Sequence, residues 1–278
     1  MARLLGFISN RPDLGARVVE QEGRALSVRR KSGVTPGWGV GFYQGGEILL
    51  KRRPIDDRPE IQVLDMIKDL RADILLAHVR AATVGTLRTE NTHPFRYRQW
   101  LFAHTGTVEA FPALRARLSD SLPQFLQRDV RGDTDSELLF HLFLSFLHDA
   151  GQLDRPAVDA QSARAALRAT VSLVDRLVAE ENAGLSAMNI LVGCAEYLLA
   201  AHGGAKMGYR VIHGRSDLER LFGDGGLGRM RIPDLAASRL SIVASDFEDD
   251  QLPHGWTEVT ERAIVTFTRA DDPVSETI

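Results

Sequence analysis

The sequence predicts an α+β fold with a sheet core, built as one domain over residues 1–278, and three features point to it. Strand-like apolar runs open the chain, helical periodicities fill its middle, and strand-like runs return towards its end. No repeat, low-complexity tract or long linker interrupts that order.

Taken along the chain, RLLGFIS (3–9) reads as a strand beginning almost at the first residue. GWGVGFYQGGEILLKRRP reads as a hairpin, with Gly45-Gly46 as the turn between two apolar runs. Ile61, Leu64, Ile67 and Leu70 recur at helical spacing, which predicts a helix over 60–70. ADILLAHVRAA (72–82) and WLFAHTG (100–106) read as buried strands. Thr134-Asp135-Ser136-Glu137 has the Thr-x-x-Glu form of a capping box ahead of the helical run LLFHLFLSFL. A longer helix is expected over Ser162–Glu181, with Leu167, Val171, Val174 and Val178 on one face. Strands are expected at 188–194, 196–201, 208–213, 240–244 and 263–267, and loops or insertions at 150–160 and 214–235.

Composition excludes several classes of function. Hydrophobic residues make up 44% and charged residues 26%, an ordinary globular balance. A formal net charge of −3 gives no electrostatic basis for nucleic-acid binding. Arg29-Arg30-Lys31 and Lys51-Arg52-Arg53 read as solvated faces, as do Asp56-Asp57 and Glu248-Asp249-Asp250. MARLLGFISN lacks the apolar run of a signal peptide, and Leu185–Ala201 carries Asn189, Gly193 and Glu196, so it reads as core rather than a membrane span. The single cysteine, Cys194, excludes an internal disulfide and suits a cytoplasmic protein. Its apolar setting reads as a buried, inert thiol.

The chemistry is carried by short motifs in a fixed order: Met-Ala-Arg-Leu-Leu-Gly at the start, Pro36-Gly37-Trp38-Gly39, and His78-Val79-Arg80-Ala81-Ala82-Thr83-Val84-Gly85. Asn91-Thr92-His93-Pro94-Phe95, His104-Thr105-Gly106-Thr107 and Gly132-Asp133-Thr134-Asp135-Ser136-Glu137 follow. The series resembles the class II glutamine amidotransferases, in particular their compact bacterial branch, and IVASDFEDDQLPHGWTEVTERAIVTF is similar to that branch's C-terminal end. The resemblance implies an N-terminal nucleophile hydrolase fold, a four-layer α/β/β/α sandwich. It also implies a cysteine nucleophile at position 2, whose own α-amine, with a pKa of about 8, accepts the proton during attack on the glutamine side-chain amide.

Position 2 is Ala2. A methyl group has no lone pair, and loss of a nucleophile lowers turnover by on the order of 10⁶-fold. The resemblance also implies an asparagine at the place of Thr105, donating to the oxyanion together with the Gly106 N–H. Losing one such donor costs roughly 3–4 kcal/mol. The substrate-holding positions are kept: Arg80 for the α-carboxylate, Thr83 and Gly85 in its turn, Asp135 for the α-ammonium, and His93 beside them. Read alone, Arg80 equally suits a buried ion pair and Asp135 a helix N-terminal carboxylate. His78, His93 and His104 match no zinc spacing, and neither a metal nor another cofactor is implied. Trp38 reads as a core or pocket-wall aromatic.

Three functions remain open on the sequence: a silent amidotransferase-like protein that binds glutamine or a γ-glutamyl compound, an amidohydrolase whose nucleophile has been changed to alanine, and an interaction module for a protein partner with a vestigial pocket. No nucleic-acid or membrane partner is expected.

Overall fold

The computed structural model describes residues 2–22, 28–29, 36–80, 84–223, 234–247 and 250–278. The first part of the chain supplies β1 (Arg3–Ser9), β2 (Val28–Arg29), β3 (Gly37–Gln44), β4 (Glu47–Arg53), β5 (Glu60–Ile61), β6 (Ile74–Arg80), β7 (Phe95–Tyr97) and β8 (Trp100–Thr107). The last part supplies β9 (Ala187–Gly193), β10 (Tyr197–His202), β11 (Met207–His213), β12 (Arg239–Ser245), β13 (Thr257–Glu258), β14 (Ala263–Thr268) and β15 (Val274–Thr277). The helices are α1 (Gly15–Glu22), α2 (Val63–Ile67), α3 (Phe111–Asp120), α4 (Gln124–Gln127), α5 (Asp135–Asp149), α6 (Ala160–Glu180) and α7 (Gly214–Phe222).

Two antiparallel sheets dominate, ordered β13-β11-β12-β1-β6-β3-β4 and β15-β14-β10-β9-β8-β7, with β2 and β5 as a separate pair. Alternation along each strand divides its side chains between layers. Leu4 and Ile8 of β1 enter the space between the sheets, where Leu76, Leu101, Leu191, Leu198 and Phe267 meet them. Leu5 and Phe7 turn the other way, into a core shared with Val18 of α1, Met66 of α2 and Leu218 of α7. Trp100 and Phe102 of β8 face a third core, formed with α3, α4, α5 and α6. The result is helices, sheet, sheet, helices: the α/β/β/α sandwich. Gly6 permits the close approach of the sheets, because a Cβ there would stand 2.7 Å from Leu198 and 2.9 Å from Val243.

Two expectations need correction. The helix expected over 60–70 is one short turn, Val63–Ile67, because Glu60–Ile61 pairs with Val28–Arg29 as strand instead. Residues 214–222, expected as loop, form α7, which buries Leu218 against the first sheet. Its 218/221/222 spacing is helical, but the flanking glycines Gly214 and Gly223 hid it. Helices α1, α3 and α4 are not predicted by the spacing.

Candidate functional site

Sheet ends and one helix start deliver side chains to a common cavity. Ala2 precedes β1, His78 and Arg80 close β6, His93 leads into β7, and His104, Thr105 and Gly106 close β8. Thr134, Asp135 and Ser136 open α5, and all of these residues line one cavity with Val84. Its volume is about 30 Å³, where roughly 10–15 Å³ admits one water. Thr83 lies outside the described residues. Gly85 is not a wall of the cavity; it backs onto the turn carrying Asp133 and Thr134.

The start of α5 is fixed by its cap. Thr134 Oγ1 accepts from the Glu137 N–H at 3.2 Å, the expected half of a capping box. The reciprocal arm differs: the Glu137 carboxylate accepts from the N–H groups of Arg131 (2.8 Å) and Gly132 (2.6 Å) and so ties down the preceding turn. Asn91 completes that tie, accepting from Asp133 N–H at 3.0 Å and donating to the Thr86 carbonyl at 2.9 Å. The Gly132 and 84–86 segments are thereby held against one another.

Arg80 is buried, and its guanidinium donates to the carbonyls of Val84 (2.6 Å) and Thr86 (3.1 Å). Burial lowers its pKa, opposed by the Asp133 and Asp135 carboxylates. Asp135 accepts from the Val108 N–H at 2.9 Å and from the Ser136 N–H at 2.8 Å, which joins α5 to the end of β8. Gly106 has φ +123°, and a Cβ there would lie 1.8 Å from the Ala187 carbonyl oxygen, so only glycine fits beside β9. The Thr105 hydroxyl donates to Asp246 Oδ2 at 3.0 Å, and Ser245 Oγ donates to the same atom. Burial pushes the Asp246 carboxyl up, while the Ser245 and Thr105 bonds and the Arg3 charge pull it down.

Three imidazoles form the rest of the wall. The His78 and His93 ring centroids are 4.3 Å apart, edge to face, and His104 Nδ1 lies 2.9 Å from Ser136 Oγ. Burial pushes His78 down to about 3, with the Arg80 charge and His104 adding to the shift. Burial also lowers His93 well below its ordinary value, and it lowers His104, where Asp135 opposes it. All three are therefore neutral at pH 7. Among the described residues, no group of three or more His, Cys, Asp or Glu is placed to hold a metal ion.

Asp246 is the site residue that sequence reasoning missed. It directly follows the apolar run of β12 and was hidden by the acids Glu248, Asp249 and Asp250 that come next in the chain. Asp56 is a second correction: it is buried, not solvated, and accepts from Trp38 Nε1 at 2.7 Å and pairs with Arg58 at 2.8 Å. The Arg58 bonds hold its carboxyl well below the usual range. Trp38 belongs to the core between the first sheet and its helices, and Cys194 is buried with its thiol pKa raised by burial. Arg30, Lys31, Glu248 and Asp249 lie outside the described residues.

The model of the family described as glutamine amidotransferases class-II matches residues 1–205. The chain belongs to that family. Among its relatives, a probable glutamine amidotransferase of Saccharomyces cerevisiae is 31% identical over 148 residues, covering 50% of this chain and 41% of the relative. A gamma-glutamyl-hercynylcysteine sulfoxide hydrolase of Mycobacterium tuberculosis is 36% identical over 101 residues, covering 35% of this chain and 42% of the relative. The matches thus span about half the length of the curated relatives, from 41% to 58% in the first three. A predicted glutamine amidotransferase from Pseudomonas aeruginosa has the same fold, with TM-score 0.59 and 19% identity over 97% of this chain and 98% of the other. A class-II domain protein from Silicibacter pomeroyi superposes with TM-score 0.58 at 17% identity, covering 99% and 98% of the two chains. No helix among the described residues is long and apolar enough to cross a membrane.

Proposed function

We propose that this protein binds glutamine or a γ-glutamyl compound and does not hydrolyse it. The observation that carries the reading is that Arg80 and Asp135 line the same cavity as Ala2, Thr105 and Gly106. Arg80 would take the ligand's α-carboxylate with its planar guanidinium, Asp135 its α-ammonium, and the Gly106 N–H its side-chain carbonyl. Hydrolysis fails at two atoms. Ala2 presents a methyl group where a thiolate is needed, and the Thr105 hydroxyl is spent on Asp246 rather than aimed at an oxyanion.

The cavity as it stands admits water but not an amino acid. Binding therefore exchanges the Val84 and Thr86 carbonyls for the ligand carboxylate on Arg80, and the 84–86 segment moves outward. A charge-assisted bidentate pair is stronger than two neutral carbonyl bonds, which supplies the driving force. The hydrolase from Mycobacterium tuberculosis, named for a γ-glutamyl substrate, extends the ligand class beyond glutamine itself.

Calorimetric titration with L-glutamine tests the reading, with Arg80→Ala as control and glutaminase turnover measured in parallel. Saturable binding lost in Arg80→Ala, without turnover, is expected. Turnover by the unaltered chain overturns the proposal, as does binding that survives Arg80→Ala.

A further inference from the structure

A second cavity, sharing no lining residue with the first, opens on the far side of the first turn of α5. It encloses about 290 Å³, close to the lower end, roughly 300 Å³, of sites that hold small organic ligands. Phe95 and Phe140 supply an apolar wall, their rings 6.4 Å apart and inclined by 15°.

Arg52 and Arg96 stand at this cavity with backbone carbonyls as their hydrogen-bond acceptors, and the Glu90 and Glu137 carboxylates favour the charged form of Arg52. Arg52 donates through one nitrogen to Thr89 and Thr92, at 3.3 Å each, and Arg96 donates to Ile48 at 3.1 Å. A guanidinium has five N–H donors, so each keeps donors for an anion. Arg52 is thus half-buried in a cavity wall, a correction to its reading as part of a solvated basic run.

His141 provides a second, independent indication. It is 3% exposed, and its Nδ1 lies 2.8 Å from the Glu137 carbonyl oxygen. A carbonyl only accepts, so Nδ1 is the donor in that bond. Nε2 has no hydrogen-bond partner and lies 3.7 Å from Asp129 Oδ2. A buried polar atom without a partner is costly. An N–H group of a bound ligand placed there gives Nε2 a partner and pairs with the Asp129 carboxylate. The Glu137 carboxylate is occupied by the Arg131 and Gly132 N–H groups, and the Arg131 guanidinium reaches only the other Asp129 oxygen, Oδ1, at 3.8 Å.

We propose that this cavity binds a dipeptide-sized zwitterion with an apolar side chain. Its carboxylate rests on Arg52 and Arg96, its ammonium bridges His141 and Asp129, and its body lies against Phe95 and Phe140. The inference is independent of glutamine binding in the first cavity.

The test is calorimetric titration of the intact protein with L-leucyl-L-alanine, its N-acetyl derivative and its C-terminal amide. The free dipeptide should bind saturably, and loss of either charge should weaken it by about tenfold or more. Arg96→Gln and Asp129→Asn, both at solvent-accessible positions, should each weaken it by about tenfold, while Arg80→Ala leaves it unchanged. Equal affinity for all three probes, or no saturation up to about 10 mM, overturns the proposal. So does loss of binding in Arg80→Ala with Arg96→Gln unaffected, which would put the peptide in the first cavity.

Discussion

Acidification from pH 7.5 to 5 probes the first cavity through its histidines. A histidine whose pKa is lower folded than unfolded binds fewer protons in the native state than in the unfolded chain at any pH below about 6.5. Its stabilising contribution is present above that value and is lost as the pH falls towards the folded pKa. His78, pushed to about 3 by burial, therefore loses about 1.4 kcal/mol per pH unit and about 2 kcal/mol by pH 5. His93 and His104, lowered by the same burial, act in the same sense. Asp246 is raised and acts oppositely above about 3.8, one group against three. Against a typical total of about 5–15 kcal/mol, a loss of 2 kcal/mol or more is readily measured. The assay is the denaturant midpoint at fixed m-value across pH 7.5, 6.5, 5.8 and 5. His78→Gln should flatten the slope by about one proton, whatever it does to stability at pH 7.5. A flat profile, or a slope unchanged in His78→Gln, refutes the placement of neutral imidazoles in the cavity wall.

Three further outcomes follow from the geometry. Ala2→Cys combined with Thr105→Asn should produce glutaminase turnover, about 10²–10³-fold faster than Ala2→Cys alone, measured by ammonia release. Gly106→Ala should cost about 3 kcal/mol or prevent folding, because the added methyl meets the Ala187 carbonyl; chemical denaturation reads this out. Asp56→Ala leaves the Trp38 indole N–H without its acceptor and the Arg58 guanidinium with Asp65 alone, and should cost about 2 kcal/mol, seen as a lower midpoint with little change in glutamine affinity.

Much of the architecture was legible because two-period alternation and apolar runs are strong in β1, β3, β6 and β8, and because α5 announces itself with Thr134 and Glu137. Amphipathic α7 was obscured by glycines at both ends, and the segment at 60–61 chose strand pairing over helix through a partner more than thirty residues away. Such pairing cannot be seen in local spacing. At the cavity, the motifs named Arg80, His93, Thr105, Gly106 and Asp135, but not what their polar atoms touch. That Thr105 answers to Asp246, 141 residues later, is a tertiary fact. So is the burial of Asp56, whose neighbour Asp57 and the nearby arginines made it look solvated.

The sheet edges bear on how the protein coexists with copies of itself. Three of the four end strands are short: two residues in β13, three in β7 and four in β15. Among the described residues, β4 is the longest of these four end strands, with seven residues. That strand ends Lys51-Arg52-Arg53, with Lys51 and Arg53 exposed. Positive charge along a free edge repels the like edge of a second molecule and blocks sheet-to-sheet addition. Neutralising those two residues would remove the Lys51 charge from over the Trp38 ring and the Arg53 charge from beside Asp56, and turn this edge into a template for aggregation.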